Sequence, residues 1–275
     1  MATKPIFCLV CLMFLFVGCD SDIKHIAFSN RDYKDTSEPL GQSSLSRQKA
    51  IKLGGVDFNI REDIVYATSD EFNRVFRIPS AIITNEGSIL LSCESRSEMA
   101  DKGEIEILVA RLERRKKNWH IRKVIAHNAK SYGRSMNPIF VIDRFGVHGR
   151  KGRIYLFAAH MKKPDYGVNQ TTEDADFVYK YSDDDGLSWS SETSLKHLWD
   201  TTKYQAIYPS ACNGIQTSDG TLLVPTMITK DNKWRSGMLQ KRPDKDWMFS
   251  SPTIYDGDNE SSVYINSSLK IQYTA

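Results

Sequence analysis

The chain is poor in features that would place it at once. Five cysteines in 275 residues are too few for a disulfide-stapled scaffold. The six histidines (25, 120, 127, 148, 160 and 197) show no close ligand spacing, which argues against a metalloenzyme. There is no collagen period, no heptad and no Gly/Ser tract. Net charge is only +3, too weak to argue for nucleic acid as the main partner. What is present is core-forming material: 40% hydrophobic residues, with 12 Phe, 12 Tyr and 5 Trp spread along the chain. Global disorder is thereby excluded, and the length allows one large domain or two small ones.

Residues 1–19 read MATKPIFCLVCLMFLFVGC. Lys4 supplies a positive start, and the run from Pro5 to Gly18 is almost wholly apolar but shorter than the roughly 20 residues a spanning helix needs. That is an export-signal pattern. Phe16-Val17-Gly18-Cys19 resembles a bacterial lipobox, with Phe16 where Leu is usual. The resemblance implies cleavage before Cys19, lipidation of Cys19 and contact with a membrane through that anchor, in the cell envelope. Plain secretion after a cut near Gly18 and an uncleaved membrane anchor are the alternatives. Residues 20–55, polar and mixed in charge, are read as a tether, and residues 56–275 as the folded domain. Cys93 and Cys212 lie in apolar strand-like runs and are expected as buried thiols, with pairing as the open alternative.

Beyond the leader the apolar runs are short and bounded by turn residues, as in residues 154–159 (IYLFAA), 176–181 (DFVYKY) and 221–226 (TLLVPT). None reaches the length of an amphipathic helix, so the expected class is all-β. The runs recur. A turn and apolar strand appears at Glu86-Gly87, at Lys151-Gly152 and at Asp219-Gly220, with a weaker copy at Ser267-Ser268. A second strand and then Trp119, Trp189 or Trp247 follow the first three. A repeat of about 60 residues made of antiparallel strands fits propeller blades, and a Trp after each hairpin would cap it and fill the gap between sheets.

The middle copy is the sharpest. Ser182, Asp184, Gly186 and Trp189 fit the spacing S-x-D-x-G-x-[ST]-W, in which the Asp accepts backbone N–H groups within a tight turn and the Gly takes positive φ. This resembles the Asp-box of sialidases and related propellers. The copies at 111–119 and 240–247 are degenerate, and the basic run from Arg111 to Lys117 is read as a solvated hairpin tip.

Further motifs resemble the sialidase (neuraminidase) family. Phe76-Arg77-Ile78-Pro79 looks like its opening [FY]-R-I-P motif, whose arginine grips the substrate carboxylate; a planar guanidinium suits that task. Cys93-Glu94-Ser95-Arg96 is similar to a run ending in an acidic residue and an arginine, which implies that Arg96 lines the pocket near the sugar's O4. The segment from Ala100 to Ile107 resembles D-x-G-[DE]-I-[DE], which makes Asp101 the expected general acid/base. Met136-Asn137-Pro138 opens the second blade; Asn137 stands where relatives often carry Asp and is taken as a pocket candidate. Asp258 to Val263 looks like the N-E-[ST]-x-V segment, which makes Glu260 the expected base that activates a tyrosine nucleophile. A neutral nucleophile makes sense beside an anomeric carboxylate, which would repel an anionic one.

The resemblance runs from about Tyr66 to Ala275. It implies a six-bladed β-propeller of which about the first three to four blades are present. It also implies an exo-α-sialidase that removes terminal α-linked sialic acids from glycoproteins, glycolipids or oligosaccharides with retention of configuration and without a cofactor. The family's two further arginines and its tyrosine would lie beyond residue 275, and Tyr264 and Tyr273 match no nucleophile motif. The chain is therefore read as C-terminally truncated, and a non-catalytic sialoglycan-binding propeller is the rival expectation.

Overall fold

A computed structural model describes residues 46–53, 56–63, 65–66, 74–101, 103–125, 133–162, 175–200, 202–250, 262–265 and 271–274. Cys19 and Glu260 lie outside the described residues. The described part contains strands and one short 3-10 turn, Lys196–Leu198.

Strands β1 (Ser46–Leu53) and β2 (Val56–Asp63) pair antiparallel from Ser46↔Asp63 to Leu53↔Val56. The hairpin thus begins inside the stretch read as a tether. Its first strand, SRQKAIKL, is too charged for its β character to show in composition. The sequence between the strands, Gly54-Gly55, is a dipeptide that two-residue hairpins favour.

Three blades follow. The first is a meander of β3 (Val75–Ile83), β4 (Ile89–Arg96), β5 (Ile105–Leu112) and β6 (Trp119–Ile125). The second is β7 (Arg134–Asp143), β8 (Arg153–Met161), β9 (Ala175–Ser182) and β10 (Thr193–Ser194). In the third the inner strand is split into β11 (Ala206–Pro209) and β12 (Ile215–Gln216). Both pieces pair with β13 (Leu222–Lys230), which continues to β14 (Lys233–Lys241) and β15 (Met248–Phe249). A further antiparallel pair is β16 (Ser262–Ile265) and β17 (Ile271–Thr274). The β-propeller expectation is met by this arrangement.

The repeated turn-and-strand motif is the first hairpin of each blade. Gly87, Gly152 and Gly220 sit there at φ 83°, 86° and 89°, a region open to glycine at little cost. The period-2 alternation of strands explains how the blades stack. In β7, Phe140 and Ile142 pack against Ile82, Leu90 and Ile107 of the first blade, while Ile139 and Val141 pack with Leu222, Val224 and Trp247 of the third. The cores therefore lie between sheets. The periodic tryptophans fill them: Trp247 stands edge-on to Phe157 at 5.2 Å, and Trp189 stacks on Phe140 at 6.4 Å. Trp119 is fully buried among Val65, Tyr66 and Leu91 and donates its indole N–H to Asp63 at 2.8 Å.

The Asp-box turn between β9 and β10 is stapled to the first blade. Arg111 Nη2 meets Asp185 Oδ2 at 2.6 Å and its Nε donates to the Asp185 carbonyl at 2.8 Å. This revises one reading. Residues 113–118 are an exposed tip, but Arg111 is buried, because its position on β5 aims it at the neighbouring blade. Cys93 is buried and Cys212 half-buried, and the two are not paired with each other; burial pushes the Cys93 thiol well up.

Candidate active site

The candidate residues gather where β3 begins, β4 ends and β7 begins. Arg77 on β3 lies opposite Glu94 on β4, and Val75 lies opposite Arg96. The two arginines therefore sit on adjacent strands at one end of the sheet. The loop after β4 carries Asp101. It is closed by Ser97 N to the Glu104 carbonyl at 3.0 Å and Glu104 N to Ser97 Oγ at 3.1 Å, and Gly103 turns it at φ 73°.

Three expected residues meet. Arg96 Nη1 bonds Asp101 Oδ1, and Arg77 Nη1 lies 3.4 Å from that oxygen. Both guanidinium groups also reach the Met99 carbonyl, at 3.2 Å from Arg77 and 3.4 Å from Arg96. The side chains of Arg77 and Asp101 are each 40% exposed, whereas that of Arg96 is 1% exposed. Arg96 is thus a fixed element, and Arg77 and Asp101 are open to an incoming molecule.

Sequence reasoning gave Glu94 and Arg134 no part in this site. Glu94 is fully buried and accepts Arg96 Nε at 2.6 Å and Asn137 N at 2.7 Å. Burial pushes its carboxyl upward, opposed by Arg96 and by the Asn137 N–H. Arg134, the first residue of β7, donates Nη1 to the Asp101 carbonyl. The only signal in the sequence was the proximity of Glu94 to Arg96 and the isolated charge of Arg134 before a buried strand.

Asn137 is buried at 7% exposure, and its Nδ2 donates to the Pro209 carbonyl at 2.9 Å. With its N–H on Glu94 it links three blades. Ile78 and Asn137 each precede a proline and occupy φ 53° and 54°, at the bulges of β3 and β7. Left-handed backbone is costly at the β-branched Ile78 and milder at Asn137, and both residues border the same site. In the third blade the inner strand breaks at the corresponding place, after Pro209.

The Asp-box lies at the opposite end of the second blade. Ser182 Oγ donates to Asp184 Oδ1 and accepts Gly186 N, both at 2.8 Å. Ser188 N donates to Asp184 Oδ1 at 2.8 Å. The box shapes a turn and contributes nothing to the site itself. Among the described residues no group of three or more His, Cys, Asp or Glu is placed to hold a metal ion.

The sheets and the paired arginine–aspartate cluster define a propeller of the Asp-box class. The chain belongs to the BNR repeat-like domain family, which it matches over residues 78–270. A sialidase of Clostridium perfringens is 29% identical over 171 residues, covering 57% of this chain and 42% of that protein. A Hadza microbial sialidase superposes with a TM-score of 0.62 at 22% identity, over 74% of this chain and 43% of that one. Trypanosoma rangeli sialidase, in a covalent intermediate with 2,3-difluorosialic acid, gives 0.62 at 16% identity, over 83% and 38%. The chain therefore spans less than half the length of these relatives, and its blades are part of a sialidase-like propeller.

Proposed function

We propose that the chain acts on terminal α-linked sialic acids as an exo-α-sialidase, retaining configuration at the anomeric carbon. The observation that carries this reading is the convergence of Arg77, Arg96 and Asp101 at one sheet end, with Arg77 and Asp101 exposed and Arg96 held by buried Glu94. Similarity to the Clostridium perfringens sialidase supports it.

The geometry suits the chemistry. Arg77 offers a planar fork to the substrate carboxylate, which would replace Asp101 as its partner. Asp101, still held by Arg96, then stands beside the bond to be cleaved, where its protonated form gives a proton to the leaving oxygen and its carboxylate later takes one from water. Arg96 and Arg134 hold the loop on which Asp101 rides. Glu260 would activate a tyrosine nucleophile, as the resemblance implies. The substrates are sialylated glycoproteins, glycolipids or oligosaccharides. Export through residues 1–19 and lipid attachment at Cys19 belong to the same reading; labelling with a radioactive fatty acid, lost in Cys19→Ser, would support the anchor, and unchanged labelling would sink it.

The test is release of fluorophore from a fluorogenic sialoside by the full chain. Turnover is expected to fall about 100-fold or more in Asp101→Ala. Binding of the sialoside without release would favour a binding propeller. Neither binding nor release would overturn both.

A further inference from the structure

We infer that Met99 forms an apolar contact for the group bonded to sialic acid, the leaving-group side of the substrate; this rests on the sialoside reading above. The loop from Ser97 to Glu104 is closed at its base, and the Met99 carbonyl is drawn inward by two guanidinium groups, Arg77 at 3.2 Å and Arg96 at 3.4 Å. The main chain at Met99 is therefore fixed, yet its side chain is 51% exposed. A single exposed apolar side chain is ordinary on a protein surface; what sets Met99 apart is that its carbonyl is held by two residues of the site.

Five large apolar side chains are exposed among the described residues: Met99, Phe145, Val147, Leu187 and Met248. Phe145 and Val147 lie between β7 and β8, Leu187 lies in the Asp-box turn, and Met248 opens β15. These four belong to the opposite ends of the blades. Among the described residues, Met99 is the one large apolar side chain exposed at the end that carries Arg77 and Asp101.

Position then assigns its partner. Arg77 faces the carboxylate on the sialic acid. Asp101 serves the oxygen that joins the sialic acid to the next unit, so that unit must extend from the bond across the rim of the same loop. Met99 is two residues from Asp101 on that rim. A flexible thioether suits the C–H face of a pyranose, since Met adapts to irregular apolar surfaces. Its adaptability favours tolerance of several linked sugars over a strict choice of one.

The test compares binding of sialyllactose and of free sialic acid to the full chain by isothermal titration. Met99→Ala should weaken sialyllactose binding about three- to ten-fold, as expected for loss of a partly buried apolar contact, and leave free sialic acid within two-fold. Met99→Leu, which keeps apolar bulk, should restore most of the difference. Equal loss for both ligands, or no loss for sialyllactose, would overturn the assignment while leaving the sialoside reading standing. If the unaltered chain binds neither ligand, the sialoside reading fails and the assignment with it. Unchanged thermal unfolding of the Met99 variants verifies that the fold is intact.

Discussion

Glu94 joins two blades through one carboxylate: its Oε2 accepts Arg96 Nε at 2.6 Å and its Oε1 accepts the Asn137 N–H at 2.7 Å. Arg96 belongs to the first blade and Asn137 to the strained bulge of the second. The site is thus assembled across a sheet boundary by a group that never meets solvent. Removing one partner of a buried ion pair leaves the other charge uncompensated. Glu94→Ala should therefore destabilise the chain by about 3 kcal/mol in urea unfolding. Glu94→Gln, which keeps an acceptor for Asn137, should cost clearly less, and equal losses for the two variants would refute the linking role.

Asn137 itself allows a sharper test. The resembled enzymes often carry Asp at this place, so Asn137→Asp looks conservative. In this chain the amide donates to the Pro209 carbonyl at 2.9 Å, and a carboxylate has no hydrogen to give there. It would also bring a second negative charge beside Glu94. Loss of a buried donor should cost about 2 kcal/mol, read as a drop in urea midpoint. An unchanged midpoint would show that the third blade is not held through this bond.

How much of this was legible in the sequence depends on the range of each interaction. The three blade hairpins could be read because Gly87, Gly152 and Gly220 act locally, through their own φ. The Asp-box could be read for the same reason, since Ser182, Asp184, Gly186 and Ser188 bond one another within one turn. Glu94 and Arg134 could not, because their partners Asn137 and Asp101 are 43 and 33 residues away and no spacing rule reaches that far. The motif around Arg77 and Asp101 was visible only through resemblance. The structure adds why it works: paired strands bring the two arginines together, and the closed loop returns Asp101 onto them. Strand β1 was missed because charged residues at three of its eight positions masked a pairing that only its partner strand reveals.

Arg111 separates stability from the site. It bonds the Asp185 side chain at 2.6 Å and its carbonyl at 2.8 Å, far from Asp101. Arg111→Ala should unfold earlier by about 2 kcal/mol, the scale for lost hydrogen bonds to a charged group whose partner, Asp185, is half-buried. Sialoside binding at temperatures well below unfolding should stay within two-fold. A large change in binding with unchanged stability would mean that the Asp-box side of the blade communicates with the opposite end.

The Asp-box carboxylate predicts an acid-dependent loss of stability. Partial burial raises the Asp184 carboxyl, but hydrogen bonds from Ser188 and Ser182 outweigh that and hold it below its ordinary value. A carboxyl with a lower folded value than the unfolded one, about 3.9, contributes stability above the unfolded value and loses it as pH falls through the folded one. The stability difference between the unaltered chain and Asp184→Asn should therefore be largest near neutral pH and shrink as pH drops below about 4. Urea unfolding at pH 6 and at pH 3 measures it. A difference that is constant across this range would mean that the Asp184 carboxyl titrates alike in the folded and unfolded chain, so that its charge does not hold the turn.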